Sequence, residues 1–403
     1  MSAKEKAQKR IYLDYAATTP VDPRVFEAMT PYFSKEFGNP GSVHEDGRAA
    51  KVAVLRARGT LARLLGVSSP DEIIFTGSGT ESNNLAILGF AAHPLFRGYA
   101  LSDLHFITSA IEHPSVLDCF RELERRGVRV SYLPVTPEGI VPLRAFEEAL
   151  TPKTVFVSVM LANNEIGTVQ PIAAMAKILA QKRKSGFFQL PTSIFQIPVF
   201  HTDASQAPLY LDVSPARLGV DLLTLDAQKV YGPKGIGLLY KKRGVEIAPI
   251  LHGGSQEQGL RPGTENVPGI AGFAEAMTIA FEEREREAPR LVSLRDHCVD
   301  GILRIARGAA LNGSATERLP NNVNISFPGR DAEWLALELD ARGIAVGTRS
   351  ACMSSKEPGS YVVAALGKGK EYATSSLRIT LGRATTVEDI DALLAAFRGM
   401  LTK

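Results

Sequence analysis

The sequence predicts an α/β fold: a mostly parallel sheet of seven strands with helices on both faces, followed by a smaller α+β unit. Three observations carry this. Short apolar runs alternate with amphipathic helical stretches through the middle of the chain. The runs are apolar at nearly every position, as in strands buried on both faces, rather than at every second one. Beyond about residue 270 the pattern changes to a long charged helix with fewer, more amphipathic elements after it.

The first residues, MSAKEKAQKR, are basic and lead into no apolar segment of the kind a signal peptide needs, so they read as a frayed, solvated tail. Strands are then expected at EIIFT (72–76), HFITSA (105–110), VRVSYLPV (128–135), TVFVSVM (154–160), PVFHTD (198–203), LLTLDA (222–227) and IGLLYKK (236–242). Helices with one apolar face, such as PSVLDCFRELERRG and PIAAMAKILAQKRK, lie between most of them, and this alternation winds into a parallel sheet covered on both sides. SGFFQLPTSIFQIPVF (185–200) interrupts it; the segment reads either as an extra hairpin or loop packed on the body, or as a contact surface for another chain. AFEEREREAPRLVSLRDHCVDGILRIA, NNVNISFPG, a further helix and SSLRITLGRATTVEDIDALLAAF build the smaller unit. A chain of 403 residues exceeds one ordinary core. We divide it into a large domain over 21–283 and a small domain formed by 1–20 with 284–403.

Composition narrows the function. With 46 basic and 43 acidic residues the net charge is only +3, which leaves no footprint for nucleic acid or an acidic membrane surface. No stretch approaches the ~18 apolar residues of a membrane span. Cys119, Cys298 and Cys352 are far apart and unpaired in spacing, which argues against a disulfide framework or a zinc site and suits a reducing cytoplasm. Cys119 and Cys298 fall in helical patterns and read as core; Cys352 does not.

In an open parallel sheet, ligands bind beyond the carboxyl ends of the strands. The tips here read TGSGTESNN, IEHPS, LANNEIG, DASQAP and QKVYGPKG. Polar residues at one tip are ordinary loop composition; at five they point to a site. Gly77, Ser78, Gly79 and Thr80 stand at a strand-to-helix junction, where close backbone approach and free N–H groups suit a phosphate, although the same residues also make a plain helix cap. Asp203 ends one strand and Lys229 follows another. A lysine for a Schiff base, an aspartate for a ring nitrogen and a phosphate cradle are together the parts needed to hold pyridoxal 5'-phosphate. His113 would lie over such a ring and assist proton transfer, although a single histidine is more often structural. Cys352 lies in VGTRSACMSSKEPGSY (about 346–361), whose glycines and serines are those of a mobile loop, and a thiol there is already a good nucleophile near neutral pH.

The ordered set LDYAATTP, FGNPGSVHEDGRAA, TGSGTESNN, IEHPSV, NNEIGTVQPI, HTDASQ, KVYGPKGIG, RPGTENV and SAC resembles the cysteine desulfurases of the class V aminotransferase-like group, which are fold type I pyridoxal-phosphate enzymes. The resemblance spans essentially the whole chain, and the long loop after Cys352 is similar to that of the NifS/IscS-type branch. It implies Lys229 as the Schiff-base lysine and Cys352 as the nucleophile that takes sulfur. It further implies that His113 stacks on the ring and shuttles protons, that Asp203 pairs with the pyridine nitrogen, and that Gln206 bonds the phenolic oxygen. Gly79 and Thr80 bind the phosphate, and Thr264 reaches the phosphate of the partner subunit in an obligatory homodimer. The resemblance also implies that Asn164 and Arg378 hold the carboxylate of L-cysteine, with Asn39 close by, and that Asn164, Asp226 and Gln228 stand among the cofactor-binding residues. The implied reaction converts L-cysteine to L-alanine and leaves a persulfide on Cys352 for a sulfur-acceptor protein, an iron–sulfur scaffold or a tRNA-thiolation relay.

One stretch departs from the pattern. Where the family commonly reads Ser-Gly-His-Lys, with the serine and histidine on the phosphate, this chain has Asp226-Ala227-Gln228-Lys229. Gln228 still donates a hydrogen bond. Asp226 is harder to accommodate: two like charges at 4 Å cost roughly 4 kcal/mol at an effective dielectric of 20, against about 0.3–2 kcal/mol from a helix N-terminus. Three arrangements would relieve this: the Asp226 carboxylate points away from the phosphate, it is protonated, or a nearby donor or cation neutralises it; the expectation is the first, through a small tilt at the strand end. Selenocysteine lyase or another β-eliminating activity, and a dimeric scaffold that has lost its cofactor through Asp226, are the alternatives to a desulfurase.

Overall fold

The computed structural model describes residues 10–96, 99–189, 197–348 and 359–401, apart from the side chain of Leu95. After a two-residue strand β1 (Ile11–Tyr12) come β2 (Ile73–Thr76), β3 (His105–Ser109), β4 (Arg129–Leu133), β5 (Thr154–Ser158), β6 (Val199–Asp203), β7 (Leu222–Asp226) and β8 (Gly237–Lys241). These seven, one within each predicted run, form one sheet in the order β2-β8-β7-β6-β5-β3-β4. Neighbours from β4 through to β7 are parallel, whereas β8 runs antiparallel to both β7 and β2. Residues 227–236 between β7 and β8 are too few for the crossover that a parallel pair needs, so the chain turns back on itself.

Every residue of β2, β3, β5 and β7 is buried, because helices cover both faces. Side chains alternate across the sheet: Ile73 and Phe75 of β2 enter one core and Ile74 the other. The first core is closed by the Glu45–Leu65 helix, through Ala50, Val54, Ala57, Leu61 and Leu65, and by the start of the Val267–Ile305 helix. The spacing of three and four along Glu45–Leu65 sets all five side chains on one stripe, and the helix stops at Gly66 in the left-handed conformation, φ 66°. The second core is closed by the Gly79–Ala91 and Pro114–Arg125 helices through Leu85, Phe90, Val116 and Phe120. Each such side chain, fully buried, contributes about 1.5–3 kcal/mol.

The Val267–Ile305 helix continues past residue 283. Its first part, to Ala280, packs on the large sheet, and Leu291 to Ile302 pack in a separate core with Val323, Ile325, Ile379 and Phe397. Strands β9 (Ala310–Leu311), β10 (Asn322–Ser326), β11 (Ile344–Ala345) and β12 (Ser376–Thr380) follow. An antiparallel sheet of order β12-β10-β9 forms there, and β1 joins β11 in parallel, tying the start of the described chain to this region. Of the 185–200 segment, Phe187 and Phe188 are half-buried against the body and Ile197 is buried, while residues 190–196 lie outside the described residues.

In the large sheet the chain leaves β3 for β4 on one side and returns to β5 on the other. Such a reversal opens a crevice at the carboxyl ends of the strands.

Candidate active site

All five polar tips reach one cleft of about 710 Å³, counting its open mouth. Beyond β2 it is lined by Gly79 and Thr80, beyond β3 by His113, and beyond β5 by Asn164. Asp203 and Gln206 come from the end of β6, and Asp226, Gln228 and Lys229 from the end of β7; Arg378 of β12 closes the far side. Asn39 and Thr264 are not among its lining residues. Both are exposed, Asn39 in a turn where its Oδ1 accepts from the Gly41 N–H at 2.9 Å, and Thr264 just before the Val267–Ile305 helix. Cys352 lies outside the described residues.

Lys229 closes a single 3₁₀ turn, Ala227–Lys229, which the Asp226 side chain caps. That short turn fixes where the lysine emerges from the sheet, and its Nζ donates to the carbonyls of Ala16 (2.8 Å) and Ala17 (2.6 Å). The carbonyl of Ala16 also accepts from Gln206 Nε2 at 3.1 Å, so the segment after β1 forms one wall of the site.

The Asp203 carboxylate is held from both sides. Its Oδ1 accepts from the Ser205 N–H at 2.9 Å and its Oδ2 from Asn83 Nδ2 at 2.8 Å. Asn83 also donates to Ser115 Oγ at 2.9 Å, and Ser115 Oγ lies 2.8 Å from His113 Nδ1. His113 caps the Pro114–Arg125 helix, with Nδ1 accepting from the Ser115 N–H at 3.2 Å; the neutral ring therefore carries its proton on Nε2. Burial pushes His113 below the ordinary imidazole range, against the opposing pull of the Asp203 carboxylate. Beside it, Glu112 is wholly buried, and that burial pushes its carboxyl up to about 8 although Ser109 Oγ (2.5 Å) and the Met160 N–H (2.9 Å) donate to Oε1.

Arg378 is 1% exposed. Its Nη1 donates to the Asn164 carbonyl at 3.1 Å and its Nη2 to Asp14 Oδ1 at 2.8 Å, and Nε has no hydrogen-bond partner among the described residues. Gly347 bridges to the Arg378 backbone, and a Cβ at 347 would stand 3.1 Å from Nη2 and 3.2 Å from Nε. The nearest atom to that Cβ would be Asp14 Oδ1 at 2.8 Å, so the glycine leaves room for the Asp14–Arg378 pair and for the buried Nε beside it, one arm of the fork that matches a carboxylate.

Sequence reasoning missed Asp14, Asn83, Glu112 and Gly347. Asp14 and Asn83 lie inside LDYAATTP and TGSGTESNN, and Glu112 precedes His113 in IEHPSV. The motifs marked the segments; nothing in one-dimensional spacing marked which partner each residue holds.

The expected orientation of Asp226 is corrected here. The carboxylate does not turn away from the glycine cradle: Oδ2 accepts from the Gly79 N–H at 3.1 Å. The end of β7 stands directly against the start of the Gly79–Ala91 helix, whose first N–H groups have no intrahelical acceptor, and the nearest acceptor is this carboxylate.

The residues present fit pyridoxal phosphate: a half-buried lysine, an aspartate held for a ring nitrogen, a helix start opened by Gly79, and an orphaned buried guanidinium donor at the other end. The aminotransferase class-V family model matches residues 11–393. The chain is 43% identical, over 98% of its own length and 95% of the other's, to a cysteine desulfurase IscS of Dictyoglomus turgidum. Its fold type I architecture is similar to that of a NifS-like protein, with a TM-score of 0.88 at 36% identity covering 98% of this chain and 100% of that one. It is also similar to SspA in complex with cysteine, with a TM-score of 0.77 at 33% identity covering 93% and 99%. A match of this extent in sequence and fold leaves one assignment: the chain belongs to the aminotransferase class-V family.

Proposed function

We propose that the chain is a pyridoxal-phosphate-dependent cysteine desulfurase, converting L-cysteine to L-alanine and passing the sulfur to Cys352 as a persulfide. The observation that carries this reading is the convergence of Lys229, Asp203, His113 and Arg378, from four separate parts of the fold, on one cleft.

Bound pyridoxal phosphate supplies the electron sink that makes the α-proton of an amino acid acidic. Lys229 holds the cofactor's aldehyde end. Asp203, fixed by Asn83 and Ser205, keeps a proton on the ring nitrogen, and Gln206 bonds the phenolic oxygen. Gly79 and Thr80, with Asp226 and Gln228, surround the phosphate. Arg378 and Asn164 orient the cysteine carboxylate. His113, neutral through burial, accepts and returns protons. Of the three cysteines, Cys119 and Cys298 are buried, and burial pushes both thiols up to about 12; neither supplies a thiolate near neutral pH, which supports Cys352 as the sulfur carrier.

The finer parts of the reading are a homodimer, two domains divided near residue 283, a cytoplasmic location, and an acceptor protein that belongs to iron–sulfur assembly or a tRNA-thiolation relay. The dimer is supported by Thr264, exposed and outside the cleft of its own chain, and by Phe26, Phe33, Phe37 and Val43, which are 61–88% exposed along one N-terminal stretch. On this reading Thr264 serves the partner's phosphate, and Asn39 adjoins the substrate. Among the described residues no helix is long and apolar enough to cross a membrane.

The test is visible absorption of the protein loaded with pyridoxal phosphate, followed by alanine release from L-cysteine. A band that shifts with cysteine, with alanine release lost in Cys352→Ser and the band lost in Lys229→Ala, is expected. A loaded sample with no band would sink the reading and favour a cofactor-free scaffold.

A further inference from the structure

The phosphate end of the cleft already contains a carboxylate. Asp226 is 8% exposed. Its Oδ2 accepts from the Gly79 N–H at 3.1 Å and from Gln228 Nε2 at 3.2 Å, and its Oδ1 from the Gln228 N–H at 3.2 Å. It therefore sits on the donor that a phosphate at the start of the Gly79–Ala91 helix would use. The approach is close: a Cβ on Gly79 would stand 3.2 Å from Oδ2.

Other charged groups face this end. Lys229, on the same turn, is directed to the Ala16 and Ala17 carbonyls and is the group that holds the aldehyde. Burial holds His113, at the start of the Pro114–Arg125 helix, towards its neutral form. Asp203 of β6 and Glu165 beyond β5 are further carboxylates. Arg378 is paired with Asp14, and Glu81 in the first turn of the Gly79–Ala91 helix is paired with Arg261.

A phosphate monoester loses its second proton near pH 6, about. Beside Asp226 a dianion meets a like charge, whereas a monoanion presents a P–O–H group to the same oxygen and turns repulsion into a charge-assisted hydrogen bond. We propose that this chain binds the cofactor's phosphate as the monoanion, with the P–O–H donating to the Asp226 carboxylate. This rests on the pyridoxal-phosphate reading above. The balance is simple: the free dianion and one solvent proton become the bound monoanion, and no covalent bond to phosphorus forms or breaks.

Proton uptake makes affinity fall as pH rises. Above the free phosphate's pKa, each pH unit weakens binding of pyridoxal phosphate by about tenfold. Pyridoxal, which offers Lys229 and Asp203 the same ring but lacks the phosphate, does not share this loss.

The experiment is equilibrium titration of the cofactor-free full chain with pyridoxal phosphate and with pyridoxal between pH 6.5 and 8.5, about the span above the phosphate pKa, read by visible absorption. Phosphorus-31 NMR of the loaded protein is recorded over the same range. The expected wild-type result is the extra loss of about tenfold per unit for pyridoxal phosphate, and a bound phosphate that keeps a monoanion's chemical shift. Asp226→Asn and Asp226→Ser should abolish the slope, restore a dianion's shift, and tighten pyridoxal phosphate at pH 8 by up to about a hundredfold with little change for pyridoxal. Parallel pH profiles for the two aldehydes, with a dianion's shift in the wild type, would overturn the proposal and leave the cofactor reading standing. The wild-type NMR signal decides the matter even if neither variant folds. No visible band with either aldehyde would overturn both.

Discussion

Arg378 and Asp14 form an ion pair at 2.8 Å across 364 positions of sequence, with the arginine side chain 2% exposed. The pair joins β12 to the segment after β1 at the edge of the cleft, so the same contact that ties the chain's two ends together also aims the guanidinium.

Arg378→Ala should raise KM for L-cysteine by about 10- to 150-fold, the equivalent of about 1.5–3 kcal/mol for hydrogen bonds to a charged group, while leaving the absorption of the bound cofactor in place. Steady-state alanine release checks this. An unchanged KM would remove Arg378 from the substrate site.

Gly347→Ala tests the same fork from the other side. The added Cβ would stand 2.8 Å from Asp14 Oδ1 and 3.1 Å and 3.2 Å from Nη2 and Nε, so the Asp14–Arg378 pair has to shift and the guanidinium loses its aim. The expected outcome is a rise in KM for cysteine of at least about tenfold, a smaller change in kcat, and no loss of cofactor. Equal effects on both kinetic constants would mean that the substitution disturbs the loop rather than the fork.

The pH profile should report His113. Because burial lowers its pKa below the ordinary imidazole range, the neutral ring persists to lower pH than an exposed histidine allows. The acid limb of kcat/KM should therefore lie below about pH 6.5, with activity lost as pH falls through it. His113→Gln should remove that limb along with most of the rate. An acid limb that survives the substitution belongs to another group.

Glu112 makes a prediction about stability. Its folded-state carboxyl is raised from 4.5 to about 8 by burial, so the folded protein retains a proton that the unfolded chain has released. Its contribution is intact below pH 4.5 and is lost progressively as pH rises to about 8. Glu112→Gln should remove that dependence and stabilise the protein at pH 8 by on the order of a few kcal/mol. Urea unfolding at pH 5.5, 7 and 8.5 (about the span of the titration) measures it; parallel wild-type and variant curves would exclude a buried neutral acid.

The legibility of this protein is uneven for physical reasons. Runs such as EIIFT, TVFVS and LLTLD are apolar because both of their faces are covered, so they declared strands before any neighbour was known. Lys229, His113 and Asp203 stand out because they are polar groups at the ends of apolar runs, whereas Asn164 is implied by the resemblance. The orientation of Asp226 was not legible. Its carboxylate follows the Gly79 N–H, a donor 147 positions away that no local pattern reveals. Asn39 and Thr264 belong to motifs of the same strength as the others, yet neither lines the cleft of its own chain.

What the sequence determined by itself was therefore local: periodicity set the elements of the large sheet, and ordered motifs named the family and its cofactor. What only the tertiary structure decided was pairing. The ion pair of Asp14 with Arg378, the grip of Asn83 on Asp203, the burial that keeps Glu112 protonated and the seat of Asp226 on a helix start all arise between residues far apart in the chain. Burial and hydrogen bonding depend on what stands within a few ångströms, and that distance is set by how the sheet and helices pack, not by spacing along the chain.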